Sequence, residues 1–85
     1  MYRIAYSHTA MKSRRRLPAN WRRRVTQKIE EVAENPHGEH AQVKRLTGRT
    51  TFQLRVGDWR VLYDLNDENE TLTVLDILKR DEAYR

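Results

Sequence analysis

Residues 52–63, FQLRVGDWRVLY, decide the fold of this 85-residue chain. Apolar side chains alternate with polar ones on both sides of Gly57-Asp58, and these two residue types favour tight turns. The pattern predicts a β-hairpin whose strands each have one apolar face, which becomes the core face of the sheet. A two-residue turn at this point places Arg55 directly opposite Arg60, with both side chains on the open face of the hairpin.

Two helices are predicted ahead of the hairpin. Ser7 or Thr9 is the predicted N-cap of a short helix that continues to about Leu17. Pro18 ends this helix, because the residue before a proline is disfavoured in the α conformation. From about Pro18 to Glu34, apolar residues recur with the period of an amphipathic helix. These residues are Trp21, Val25, Ile29 and Val32. The two helices are therefore expected to form an αα-hairpin.

The remaining segments predict strands that complete an α+β domain. Residues 2–7 alternate as a half-buried strand does, and residues 71–78 are apolar on both faces, which is typical of a central strand. Residues 43–48 predict extended chain leading into the sheet. We therefore expect a single domain over residues 1–85: an N-terminal strand, an αα-hairpin and a three-stranded antiparallel meander in one sheet. Both helices pack on one face of this sheet, and the first strand returns to it.

The composition excludes several classes of protein. The chain has no cysteine, which excludes a disulfide framework, and its three histidines lack the spacing of a zinc site. No apolar run approaches the roughly 20 residues that a membrane-spanning helix needs, and the N-terminal segment lacks the apolar stretch of a secretory signal. We expect a cytoplasmic domain without metal, small-molecule cofactor or membrane association.

The charge is distributed unevenly along the chain. Residues 1–49 carry a formal net charge of +8 and residues 50–85 one of −3, and thirteen of the seventeen basic residues are arginine. Such a basic surface favours nucleic acid or an acidic protein partner. Like charges directly opposed across a β-ladder are destabilising. The opposition of Arg55 and Arg60 therefore indicates an anion, such as phosphate, bound between them. The alternative is that Asp64 or Asp76 neutralises the pair.

The hairpin pattern Gly-Asp-aromatic-Arg-Val-aliphatic-Tyr resembles the RelE/ParE superfamily of bacterial type II toxins, and the resemblance extends over essentially the whole chain. The segment 44–48, KRLTG, takes part in it, and the ending 79–85, KRDEAYR, is similar to the RelE branch. The resemblance implies a ribosome-dependent endoribonuclease that cuts mRNA in the A site without a metal. The attacking group would be the RNA's own 2′-hydroxyl. It also implies a heteromeric complex with a cognate antitoxin, with the ribosome and mRNA as further partners.

The same resemblance implies roles for individual residues. Arg60 matches the arginine that binds the scissile phosphate, whereas Arg55 and Gln53 match two lysine positions. Arg80 lies close to a further arginine position, and Tyr84 matches a tyrosine that stacks on a base. The candidate catalytic residues are therefore Arg55, Arg60, Arg80 and Tyr84. The candidate RNA-binding residues are Lys44, Arg45, Gln53 and Lys79.

Departures from the family pattern leave alternatives open. Arginine does not lose its proton in proteins, so the general base is not fixed, and the choices are Lys79, Glu82, Lys44 or a group of the ribosome. Tyr84 could instead be a packing residue. A ParE-like toxin that binds and inhibits DNA gyrase without nuclease activity is the alternative function. A helical-hairpin DNA-binding module is disfavoured because the two helices meet at a proline.

Overall fold

A computed structural model describes residues 1–46, 48 and 50–80 of the chain. These residues form two α-helices and five β-strands. The helices are α1 (His8–Arg16) and α2 (Ala19–Glu34). The strands are β1 (Arg3–Tyr6), β2 (Val43–Arg45), β3 (Phe52–Val56), β4 (Trp59–Asn66) and β5 (Thr71–Lys79).

The strands form one mixed sheet in the order β1-β5-β4-β3-β2. The run from β2 to β5 is antiparallel throughout, and β1 returns to pair in parallel with β5 at the far edge. The predicted α+β architecture is confirmed, including the return of the first strand. The structure adds β2, because part of the segment predicted only as extended chain hydrogen-bonds to β3.

The two helices are held together by an arginine of α2 that binds the end of α1. Ser7 begins α1 by accepting a hydrogen bond on its hydroxyl from the backbone N–H of Ala10 (3.0 Å), as an N-cap does. The guanidinium of Arg22 in α2 donates to three carbonyl groups at the other end of α1, which are those of Arg14, Arg15 and Leu17. Carbonyls at a helix C-terminus lack the usual partner within the helix, so these contacts satisfy them and fix the αα-hairpin.

The hydrophobic core lies between the helices and one face of the sheet. It is formed by alternate residues of the strands and by the apolar stripe of α2, as the predicted periodicities require. Its buried members are Ala10, Leu17, Val25, Ile29, Val32, Ala33, Leu54, Val56, Val61, Tyr63, Leu72, Val74 and Ile77. Neither helix in the described part of the chain is long and apolar enough to span a membrane.

A β-bulge interrupts the pairing of β4 with β5. Tyr63 pairs with Val74, but the preceding residue Leu62 pairs with Asp76, so Leu75 is the extra residue on β5. A bulge of this kind redirects the side chains next to it. It lets Val74 and Ile77 both reach the core although they are three residues apart.

Candidate functional site

The β3–β4 hairpin opposes two arginines, as the sequence predicted. Its turn depends on Gly57, whose φ of +60° is a conformation that glycine adopts without strain. Arg55 and Arg60 are direct partners across the ladder. The backbone N–H of Arg55 donates to the carbonyl of Gln42 (2.8 Å), on the side away from β4. The arginines are therefore a non-hydrogen-bonded pair, the type in which opposed side chains approach most closely.

The two arginines differ in their exposure. Arg55 is exposed, whereas only 3% of Arg60 is accessible to solvent. The Arg60 Nη1 donates to the carbonyls of Gly57 and Trp59, both at 3.2 Å. Both arginines lie on the open face of the hairpin, as predicted, and both line the same cleft. The prediction did not include the burial of Arg60 on that face or its hydrogen bonds to the turn. The site combines a fixed, buried cation with a solvent-facing one.

A cleft of about 200 Å³ lies beside the arginine pair, and four of the candidate residues line it. Strand β2 contributes Lys44, which pairs directly with Gln53 of β3. Gln53 is buried and Lys44 is exposed. The structure therefore brings Lys44, Gln53, Arg55 and Arg60 to one place. Gln42 also lines this cleft; no local sequence signal marks it, because its position depends on how the preceding loop meets β3.

Two other candidates lie on the opposite face of the sheet. Arg45 pairs with Phe52 and Lys79 pairs with Trp59, so both share the face that carries the core. The guanidinium of Arg45 lies 5.7 Å from the centre of the Phe52 ring, and the ammonium of Lys79 lies 5.6 Å from that of Trp59. The structure does not bring Arg45 or Lys79 to the cleft.

Arg80 begins the C-terminal segment next to the hairpin turn. Its backbone N–H donates to the carbonyl of Asp58 (2.8 Å), which joins the end of β5 to the turn between β3 and β4. The candidates Glu82 and Tyr84 lie outside the described residues. The catalytic roles of Arg80 and Tyr84 stay predictions.

The aspartates considered as partners of the arginines bind hydroxyl groups instead. Asp64 accepts a hydrogen bond from the Thr51 hydroxyl (2.9 Å), and Asp76 accepts one from the Ser13 hydroxyl of α1 (2.7 Å). The bulge at Leu75 directs Asp76 toward α1, which alternation along the strand did not indicate. Within residues 1–46, 48 and 50–80, no group of three His, Asp or Glu side chains is arranged to hold a metal ion.

Comparison with known protein families identifies the family of this chain. The model of the family described as "ParE toxin of type II toxin-antitoxin system, parDE" matches residues 4–84. The chain belongs to this toxin family. The fold is similar to a chain in the crystal structure of the intact E. coli RelBE toxin–antitoxin complex. That likeness has a TM-score of 0.81 at 26% identity, over 93% of this chain and 96% of that one.

Two further solved structures extend the comparison. The isolated E. coli RelE toxin in its P21 form gives a TM-score of 0.81 at 27% identity, over 99% of this chain and 92% of that one. An archaeal RelE–RelB complex from Pyrococcus horikoshii OT3 gives 0.79 at 24% identity, over 93% and 94%. No curated protein matches the sequence. The expected membership of the RelE/ParE superfamily is confirmed.

Proposed function

We propose that this toxin cleaves mRNA in the ribosomal A site, with the RNA's own 2′-hydroxyl as the nucleophile. The observation that carries the proposal is the opposed pair Arg55 and Arg60 beside a cleft that Lys44 and Gln53 also line. Attack of the 2′-oxygen on the neighbouring phosphate forms a pentacoordinate phosphorane with added negative charge. Fixed cations aimed at such developing charge are a major source of catalysis. The similarity to E. coli RelE supports this assignment.

The two arginines suit different parts of this task. Arg60 is buried and held by two carbonyls, so its guanidinium needs little reorganisation as charge develops on the phosphorane. Arg55 is exposed, so its planar guanidinium can reach out to an incoming phosphate and bind two of its oxygens. The amide of Gln53 adds a neutral donor at the position between Lys44 and the arginines.

Lys44 is the proton acceptor in this proposal. Among the described side chains that line the cleft, it is the one that can release its proton, because an arginine stays protonated. The Lys44 ammonium first gives one proton to water, and the resulting amine takes the proton of the 2′-hydroxyl as the bond from the 2′-oxygen to phosphorus forms. The bond from phosphorus to the 5′-oxygen then breaks and that oxygen takes a proton from water. The products are a 2′,3′-cyclic phosphate and a 5′-hydroxyl.

Cell-free translation tests the nuclease proposal. The wild-type chain should arrest translation and leave cut transcripts, whereas Arg60→Ala should do neither. Arg15→Ala is the matched control, because Arg15 is an exposed arginine of α1 outside the cleft. Lys44→Gln and Lys44→Arg should both slow cleavage, since neither side chain accepts a proton. Full cleavage by Lys44→Arg would show that Lys44 only supplies charge.

Inhibition of DNA gyrase is the second candidate function. The family model that matches the chain is that of the ParE toxin, and the resemblance places Gln53 and Arg55 where a RelE-type nuclease has lysines. A supercoiling assay with purified gyrase separates the two functions. If gyrase is inhibited while translation continues and transcripts stay intact, the nuclease proposal is wrong.

We also infer a cognate antitoxin as partner. The solved structures of E. coli RelBE and of archaeal RelE–RelB are toxin–antitoxin complexes. The net charge of +8 over residues 1–49 favours an acidic partner segment. Expression of the chain alone should stop growth, and co-expression with the product of the neighbouring gene should restore growth and yield a complex on purification. Normal growth with the chain alone would contradict a toxin role.

A further inference from the structure

A second cleft adjoins the arginine pair, between helix α2 and the end of β3. It encloses about 470 Å³, and its lining residues are Arg24, Gln27, Lys28, Gln42, Arg55, Val56 and Gly57. Gln42 and Arg55 line the first cleft as well. Because the Arg55 N–H donates to the Gln42 carbonyl, these two residues form one rim that the two clefts share. A chain bound in one cleft can therefore pass directly into the other.

The arginine on the helical side of this second cleft stacks on a tryptophan of the same helix. The guanidinium of Arg24 lies 4.4 Å from the centre of the Trp21 ring, within the range of a cation–π contact. The Trp21 ring packs on the hairpin turn, since a Cβ added to Gly57 would lie 2.5 Å from its Cη2 atom. The stack of Arg24, Trp21 and Gly57 thus ties a cation of α2 to the same turn that positions Arg55 and Arg60.

Helix α2 contributes a second cation to this cleft, Lys28, which is available to an anion. Lys28 pairs with Glu31 at 3.2 Å, but both side chains are half exposed. Exposed ion pairs of this kind contribute little to stability, so a phosphate can replace the carboxylate at small cost. Arg24, Lys28 and Arg55 then present three cations around the cleft, with the amide of Gln27 as a further donor.

We propose that the second cleft binds backbone phosphates of single-stranded RNA next to the scissile phosphate. The strand runs from the first cleft across Arg55 to Arg24 and Lys28. This inference rests on the proposed function, which assigns the scissile phosphate to Arg60. We favour RNA over an acidic protein segment because Arg55 makes the two sets of cations continuous. Contacts to phosphate carry no sequence information, so such a track accepts many transcripts.

Fluorescence anisotropy with uncleavable oligonucleotides tests the track. The probes are labelled 2′-deoxy analogues of three and of twelve nucleotides, titrated with the full chain at several salt concentrations. The double variant Arg24→Ala/Lys28→Ala should bind the longer probe about tenfold more weakly and leave binding of the shorter probe unchanged. Its slope of log affinity against log salt should fall by roughly 0.7 for each phosphate that the variant no longer neutralises. Arg15→Ala/Arg16→Ala removes the same charge from α1, outside both clefts, and should change binding of the longer probe by less than threefold.

Three results would overturn the inference. The first is equal weakening of binding in the two double variants, which would mean that only net charge matters. The second is that Arg24→Ala/Lys28→Ala binds the longer probe as tightly as the wild type does. If this variant also binds an acidic partner chain more weakly, the second cleft binds protein and not RNA. The third is failure of the wild-type chain to bind either probe. None of these binding measurements involves cutting. If the wild-type chain leaves ribosome-bound mRNA intact, only the proposed function fails. Circular dichroism of each variant confirms that it is folded.

Discussion

Replacement of Arg55 by glutamine tests whether repulsion between Arg55 and Arg60 lowers the free energy of unfolding. Arg55 and Arg60 are direct cross-strand partners of the closely approaching type. For illustration, two unit charges about 6 Å apart repel by about 0.7 kcal/mol in water, and by more where the effective dielectric constant is lower. Because Arg60 is 3% exposed, we expect Arg55→Gln to raise the free energy of unfolding by about 1 kcal/mol at low salt, near the upper end for cross-strand pairs.

Urea unfolding at two salt concentrations measures this effect. In 0.5 M salt the screening length falls to about 4 Å, so most of the gain should disappear. Arg55→Lys keeps the charge and should match the wild type. On the proposal that phosphate binds the folded state between the two guanidinium groups, inorganic phosphate should stabilise the wild type more than Arg55→Gln. A loss of stability in Arg55→Gln, or a gain that does not depend on salt, would refute the repulsion.

Three further substitutions test a packing contact, a buried hydroxyl group and a surface hydrogen bond. Gly57→Ala should lower the free energy of urea unfolding by about 2–4 kcal/mol, because its φ is +60° and the new Cβ meets the Trp21 ring at 2.5 Å; a decrease below 1 kcal/mol would contradict that packing. Tyr63→Phe should raise the free energy of unfolding by about 1 kcal/mol, because within the described residues the buried hydroxyl has no hydrogen-bond partner. Burial raises the pKa of Tyr63 from 10.0 to about 12, so wild-type stability should fall as the pH rises between these values, and the variant should lose part of that fall. The hydrogen bond from Tyr2 lowers the pKa of Asp67. The stability that Asp67 contributes is therefore present above pH ~4 and is lost as the pH falls through the lowered pKa. Asp67→Asn should flatten the acid-unfolding curve in this pH range, and an unchanged curve would contradict this role.

The hairpin and the opposition of its arginines could be predicted because they depend on local rules. Glycine at position 57 sets the turn, alternation sets the faces, and a two-residue turn then fixes Arg55 against Arg60. The stripe from Trp21 to Val32 likewise identified α2 and its buried face. These signals lie within a few residues of the features that they predict.

The rest of the site depends on contacts between distant segments. Strand β2 has three residues, too few for a periodic signal, yet it brings Lys44 to Gln53. Asp76 reaches α1 because of a bulge, and no turn residue or break in the pattern marks Leu75. Arg60 is buried and hydrogen-bonds to the turn, which alternation cannot show because it gives the face of a side chain and not its path.

Single-turnover cleavage of ribosome-bound mRNA most directly tests whether Arg60 stabilises the transition state of RNA cleavage. With saturating, folded protein, Arg60→Ala should reduce the rate about 10²–10³-fold, the range expected when a fixed donor to developing charge is removed. Arg60→Lys should recover part of that loss. An mRNA with a single 2′-deoxy nucleotide at the cut should not be cleaved by the wild type. Cleavage by folded Arg60→Ala within threefold of the wild-type rate, or cleavage of the 2′-deoxy mRNA, would contradict the role proposed for the arginine pair.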